Sequence, residues 1–152
     1  MNADVRPLDI VVTSTPSDSH TWNLVYLQLL LEELGHRVVN LGACVPGSLL
    51  AAECTLRRPD LVVVSTVNGH GYQDGLRTVS ALQGVPALAD VPVVIGGKLG
   101  TAGPDPASAR RLISAGFTLV FDDELTGPAP LRAFLATVRT ASEAVAECGT
   151  RR

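Results

Sequence analysis

Short β-branched runs alternate five times with longer amphipathic segments, and this alternation limits what the chain can fold into more than any other feature. Consecutive parallel strands need a crossover long enough to return to the same edge of the sheet, usually a helix. Repeated strand–helix units therefore read as an α/β fold with helices on both faces of a parallel sheet. The strands are predicted at 8–13, 37–41, 60–66, 92–95 and 118–121, and the helices at 20–34, 48–57, 73–82, 106–115 and 128–144. Gly, Pro, Ser or Asp marks the element ends. Leu61, Val62, Val63 and Val64 follow one another without a polar break, as expected of a central strand buried on both faces. Gly35 and Gly116 stand where two helices should stop.

Five right-handed units give a doubly wound, flavodoxin-like sheet of strand order 2-1-3-4-5, with its topological switch between strands 1 and 3. Ligands of such sheets bind at the carboxyl ends of the strands beside the switch. The rim is formed by the loops after strands 1, 3 and 4. They read Ser14-Thr15-Pro16-Ser17-Asp18-Ser19-His20, then Ser65-Thr66-Val67-Asn68-Gly69-His70-Gly71, then Gly96-Gly97-Lys98-Leu99-Gly100.

The chain has 152 residues, about the size of one compact domain. Residues 1–144 are read as that domain, and 145–152, polar and ending Gly149-Thr150-Arg151-Arg152, as a frayed flexible tail. Twelve basic residues against 15 acidic ones give a net charge of −3, which argues against nucleic acid or an anionic membrane as partner. No run approaches the roughly 18 apolar residues of a membrane span. Residues 1–8 carry Asp4 and Arg6 and lack the pattern of a signal peptide. Cys44, Cys54 and Cys148 are odd in number and lack metal-site spacing, so they read as reduced thiols of a cytoplasmic protein.

Within the rim, Asp18 stands two residues before His20. A metal-bound imidazole needs its second nitrogen held by an acceptor, and a carboxylate at this spacing can hold it. Asp18 can also cap the first helix, and both roles can coexist. Ser65 offers a hydroxyl of little volume, and Gly96-Gly97 allow close backbone approach. His36 reads as a solvated loop residue, and Trp22 as core or interface.

Taken together, Asp18-x-His20, Ser65-x-Val67 and Gly96-Gly97 in three matching loops resemble the cobalamin-binding domain of B12-dependent mutases and methionine synthase. The likeness runs from about Leu8 to Val138 and is nearest to the small (sigma) subunits of glutamate mutases, also called methylaspartate mutases. Val38-Val39-Asn40-Leu41-Gly42 and Asn68-Gly69-His70-Gly71 share in it. The resemblance implies adenosylcobalamin bound with its dimethylbenzimidazole tail displaced from cobalt and His20 as the lower axial ligand. It implies cofactor contacts from Ser17, Asp18, Ser19, His20 and Thr21, from Ser65, Thr66 and Val67, and from Gly96, Gly97, Lys98, Leu99 and Gly100. It implies no acid or base catalyst in this chain, and places His70 on the rim, facing a partner or the corrin edge. A large (epsilon-type) subunit, usually a TIM barrel, would bind substrate and complete a heterotetramer. The reaction implied is the interconversion of L-glutamate and threo-3-methylaspartate.

The chain departs from the family pattern at three places. Asn23 stands where the Asp-x-His-x-x-Gly motif has glycine, implying a shifted helix or a hydrogen bond to the nucleotide. Val67 replaces leucine, and the acidic run Asp122-Asp123-Glu124 follows strand 5, where a Gly- or Pro-containing loop is usual. Other classes fit less well. A corrinoid carrier for methyl transfer usually has an N-terminal helical module, whereas strand 1 begins here near residue 8. A flavin carrier would want a glycine in Ser14-Thr15-Pro16-Ser17. A phosphoacceptor domain would want Asp at Ser65 and Lys at Asp122, and a dinucleotide fold would want G-x-G-x-x-G after strand 1.

Overall fold

The computed structural model describes residues 6–122 and 128–149. Five parallel strands, β1 (Asp9–Thr13), β2 (Arg37–Asn40), β3 (Leu61–Thr66), β4 (Val93–Gly97) and β5 (Leu119–Phe121), lie in the order β2-β1-β3-β4-β5. Between and after them run α1 (Trp22–Glu33), α2 (Gly47–Arg57), α3 (Gly71–Gln83), α4 (Pro106–Ala115) and α5 (Ala129–Gly149). A short 3-10 turn at Pro86–Leu88 precedes β4. This is the flavodoxin-like order expected from the alternation.

Side chains leave successive strand positions on opposite faces, and this period of two divides the core. Val11, Val62, Val64 and Ile95 pack under α2, α3 and α4 with Leu50, Cys54, Val79 and Leu112. Ile10, Val12, Val63 and Val94 pack under α1 and α5 with Leu24, Leu31, Leu131 and Leu135. Every residue of β3 is buried, as a central strand covered on both faces requires.

Helix ends explain where the expected boundaries move. Gly35 closes α1 with φ +92, its N–H donating to the Glu32 carbonyl while that of His36 donates to Leu31. That paired closure is the left-handed glycine motif expected of a helix stop. It also turns His36 inward. Contrary to the solvated reading, His36 is buried, and its Nδ1 accepts from the Leu8 N–H at 3.2 Å. At the other end, α1 begins at Trp22 rather than residue 20, after a separate turn in which the His20 N–H donates to the Asp18 carboxylate. Helix α5 continues past the expected end at 144 to Gly149.

Candidate functional site

The first loop is fixed through its backbone before its side chains act. The Asp18 carbonyl accepts from the Cys44 N–H at 2.9 Å and from Ser14 Oγ at 3.1 Å, while the Asp18 N–H donates to Thr15. Cys44 reaches this bond from a left-handed conformation, φ 52. These contacts tie the loop after β1 to the loop after β2 and leave the Asp18 carboxylate beneath it, wholly buried.

Both carboxylate oxygens are used. Oδ1 accepts from the His20 N–H at 2.9 Å and lies 2.6 Å from His20 Nδ1. Oδ2 accepts from Thr66 Oγ1 and from the Val67 N–H, each at 2.7 Å. Burial pushes the Asp18 pKa up, but bonds from the Thr66 hydroxyl, the His20 and Val67 N–H groups and the His20 ring outweigh it. The carboxyl is held below the usual carboxylate range. None of these donors belongs to α1, whose N-cap, Thr21, makes no side-chain cap bond, so Asp18 does not cap the helix. The loop is instead an Asx turn that aims His20.

The His20 side chain is 48% exposed while its partner Asp18 is 0% exposed. With a carboxylate on Nδ1, the favoured neutral tautomer carries its proton there, so Nε2 keeps its lone pair for a metal. Thr15 Oγ1 donates to Thr66 Oγ1 at 3.3 Å, extending the chain of bonds behind the imidazole. Thr66 thus contributes to this network through its hydroxyl, as a support of Asp18.

Beside this loop a cavity of about 470 Å³ opens between α1, α5 and the ends of β3 and β4. Asn23, Ser65, Val67, Gly96 and Gly97 line it, so the second and third loop motifs and the departure at Asn23 meet in one place. Asn23 Nδ2 donates to Ser65 Oγ at 2.8 Å, while Asn23 Oδ1 is buried without a hydrogen-bond partner. Leaving such an acceptor unmet costs about 1–3 kcal/mol. Trp22 and Tyr26 also line the cavity yet are 64% and 54% exposed, so Trp22 is not a core residue. Gly97 has φ +115, and a Cβ there would lie 2.1 Å from the Thr66 carbonyl oxygen. Only glycine lets β4 pass β3 this closely.

Other residues of the loops do not line this cavity. Leu99 is fully buried in the core under α3 and α4, and Lys98, Ser19 and Thr21 are exposed. Ser17 bonds Asp74 of α3 and accepts from Asn68 Nδ2 at 3.0 Å, which ties the first loop to the third strand's loop. Gly100 and His70 border a second cavity of about 470 Å³, between α3 and α4, with Tyr72 and Asp105. There the Tyr72 hydroxyl donates to Asp122 and accepts from the Asp105 N–H. Burial and the Asp122 bond push the Tyr72 pKa up to about 12. Asp122 is therefore turned towards Tyr72 of α3, while Asp123 and Glu124 lie outside the described residues.

The family model for the B12 binding domain matches residues 8–126. The chain belongs to the B12-binding domain family. Within it, the chain is 33% identical over 115 residues to a glutamate mutase sigma subunit from Halobacterium salinarum, covering 74% of each chain. Among solved structures it resembles a cobalamin-binding protein from Desulfitobacterium hafniense, with a TM-score of 0.64 and 23% identity. The match covers 76% of this chain and 53% of that one, so the chain spans about half of that protein's length. The chemotaxis protein CheY4 of Vibrio cholerae is as alike in shape, with a TM-score of 0.66 and 14% identity over 88% of this chain and 99% of that one. At such identities the likeness speaks for the fold alone. Ser65 and Asp122 stand where a phosphoacceptor domain needs Asp and Lys. Three positions in the cavity, Trp22, Asn23 and Tyr26, were not legible as a group, although their spacing on one helix was the available signal.

No helix among the described residues is long and apolar enough to cross a membrane.

Proposed function

We propose that the chain is the cobalamin-binding small subunit of an adenosylcobalamin-dependent mutase of the glutamate mutase type, with His20 as the lower cobalt ligand. The observation that carries this reading is the grip of a buried carboxylate, Asp18, on the inner nitrogen of a half-exposed imidazole, His20. Among the described residues no group of three or more His, Cys, Asp or Glu could hold a metal ion. One oriented imidazole would suit a metal that arrives already held by a cofactor, as cobalt does in a corrin.

The residues fit the cofactor. His20 would hold cobalt through Nε2, and Asp18 would fix the ring's tautomer and raise its basicity. Ser65, Val67, Gly96 and Gly97 would hold the displaced tail in the cavity they line. The unmet Asn23 acceptor at that cavity gives an incoming polar group something to satisfy. Bound adenosylcobalamin supplies the radical chemistry of a carbon-skeleton rearrangement.

The finer assignment follows the sigma-subunit relative: interconversion of L-glutamate and threo-3-methylaspartate, with an epsilon-type large subunit in a heterotetramer. A substrate with two carboxylates is best gripped by arginines, and the crevice loops 14–21, 67–70 and 98–105 contain none. Substrate binding is therefore assigned to the large subunit, and the cytoplasm is the expected setting. The test is to mix the purified chain with a glutamate mutase large subunit and adenosylcobalamin and follow methylaspartate formation. Activity is expected only from the mixture. Turnover by the chain alone, or an inactive mixture in which the cofactor is bound, contradicts the assignment.

A further inference from the structure

We infer that the Asn23–Ser65 pair reads the base of the corrinoid's nucleotide tail and favours an aminopurine over dimethylbenzimidazole. This rests on the reading that the cavity beside His20 receives the tail. Asn23 and Ser65 are each 5% exposed and joined by one hydrogen bond, from Asn23 Nδ2 to Ser65 Oγ. That bond uses Ser65 as acceptor, so its own hydroxyl proton is spare, and Asn23 Oδ1 is a spare acceptor. Turning the carboxamide over changes which atoms are spare but not the inventory. Ser65 would then donate to Oδ1, leaving an Asn23 N–H as donor and the Ser65 oxygen as acceptor. In either arrangement the pair offers at least one free donor beside a free acceptor.

Displaced dimethylbenzimidazole presents a ring nitrogen that accepts a hydrogen bond and no N–H that donates one. It can meet the spare donor, but the buried spare acceptor, Asn23 Oδ1, stays unmet. The edge of adenine carries an amino N–H next to a ring nitrogen and meets both, which is why asparagine pairs with that edge elsewhere. Glycine, the residue of the family motif at this position, offers neither group. Trp22 and Tyr26, exposed at the same cavity, add ring faces on which a planar base can stack.

The experiment titrates the full chain with three corrinoids: one with an adenine base, one with dimethylbenzimidazole, and cobinamide, which lacks the nucleotide. Wild type, Asn23→Leu and Asn23→Gly are compared, with circular dichroism to verify each fold. Wild type is expected to bind the adenine corrinoid about tenfold more tightly than the benzimidazole one, the value of one net hydrogen bond. Both variants should lose that preference. Equal binding or a benzimidazole preference in wild type overturns the inference, and so does a preference that survives in Asn23→Leu. Should the variants not fold, equal binding or a benzimidazole preference in wild type still overturns the inference. Cobinamide binding as tightly as both complete corrinoids overturns the tail-cavity reading too, and binding of no corrinoid overturns the proposed function itself.

Discussion

The Asp18 carboxylate lies 2.6 Å from His20 Nδ1 while its other oxygen accepts from Thr66 and Val67, so the imidazole is anchored across the switch point of the sheet. His20 belongs to the loop after β1, and Thr66 ends β3, the strand beside it. The orientation of the exposed ring is thus set by a buried network that two strands share. Changes to the network should affect ligand and fold in separable ways.

Asp18→Asn retains an oxygen for one set of donors and loses the charge. Corrinoid affinity is expected to fall about 10- to 100-fold, the usual cost of disturbing the partner of a ligating histidine. Asp18→Ala leaves the Val67 N–H without its acceptor and the Thr66 hydroxyl with only the longer 3.3 Å bond to Asn68 Oδ1, and the unfolding free energy should drop by roughly 1–3 kcal/mol. Urea unfolding and corrinoid titration on both variants measure the two effects. An Asp18→Ala protein as stable as wild type would contradict the network.

Acid should weaken the fold partly through Asp18. Burial alone would raise its pKa, but its hydrogen bonds hold the folded value below 3.8. A carboxyl depressed in the folded state lends stability that is complete above its unfolded value and disappears as pH falls through the folded one. The unfolding free energy should therefore decline below about pH 4, and Asp18→Asn should decline less steeply. Parallel acid slopes for the two proteins would exclude this contribution.

Gly97→Ala should be the more damaging of the two glycine substitutions. Its Cβ would meet the Thr66 carbonyl at 2.1 Å from a φ of +115, whereas a Cβ at Gly96 would touch Phe121 at 3.1 Å. Backbone strain of this kind costs about 1–3 kcal/mol before the clash is counted. Denaturant midpoints of the two variants give the order, and a Gly97→Ala protein no less stable than Gly96→Ala would refute it.

His36→Ala separates stability from the site. It strands the buried Leu8 N–H, just before β1, and should lower the unfolding free energy by about 1–3 kcal/mol. Corrinoid affinity should be unchanged, because Leu8 precedes β1 while His20 follows it. A matching loss of affinity would show that the two ends of the strand are coupled.

The fold was legible because the alternation of strand and helix periods is local, and the sheet order follows from few allowed connections. The Asp18-x-His20 spacing likewise revealed a partnership two residues long. What lay beyond reach was set by distant partners. The start of α1 follows a turn in which the Asp18 side chain holds the His20 N–H and is itself held by Thr66 and Val67, 48 and 49 positions away. His36 is drawn inward by the turn at Gly35, and Asp122 is turned by Tyr72, fifty residues away in sequence. Asn23 could be seen as a departure from a motif, but its bond to Ser65 spans 42 positions and exists only once β3 and α1 are packed.

Cobalt ligation by His20 is tested most directly by titrating wild type and His20→Ala with cobalamin and recording the absorption spectrum. Wild type is expected to bind and to show the spectral change of histidine replacing the benzimidazole. His20→Ala should bind at least about tenfold more weakly and lack that change, with its urea midpoint near wild type because the ring is half exposed. Equal affinity together with an identical spectrum would contradict the assignment of His20 as the cobalt ligand.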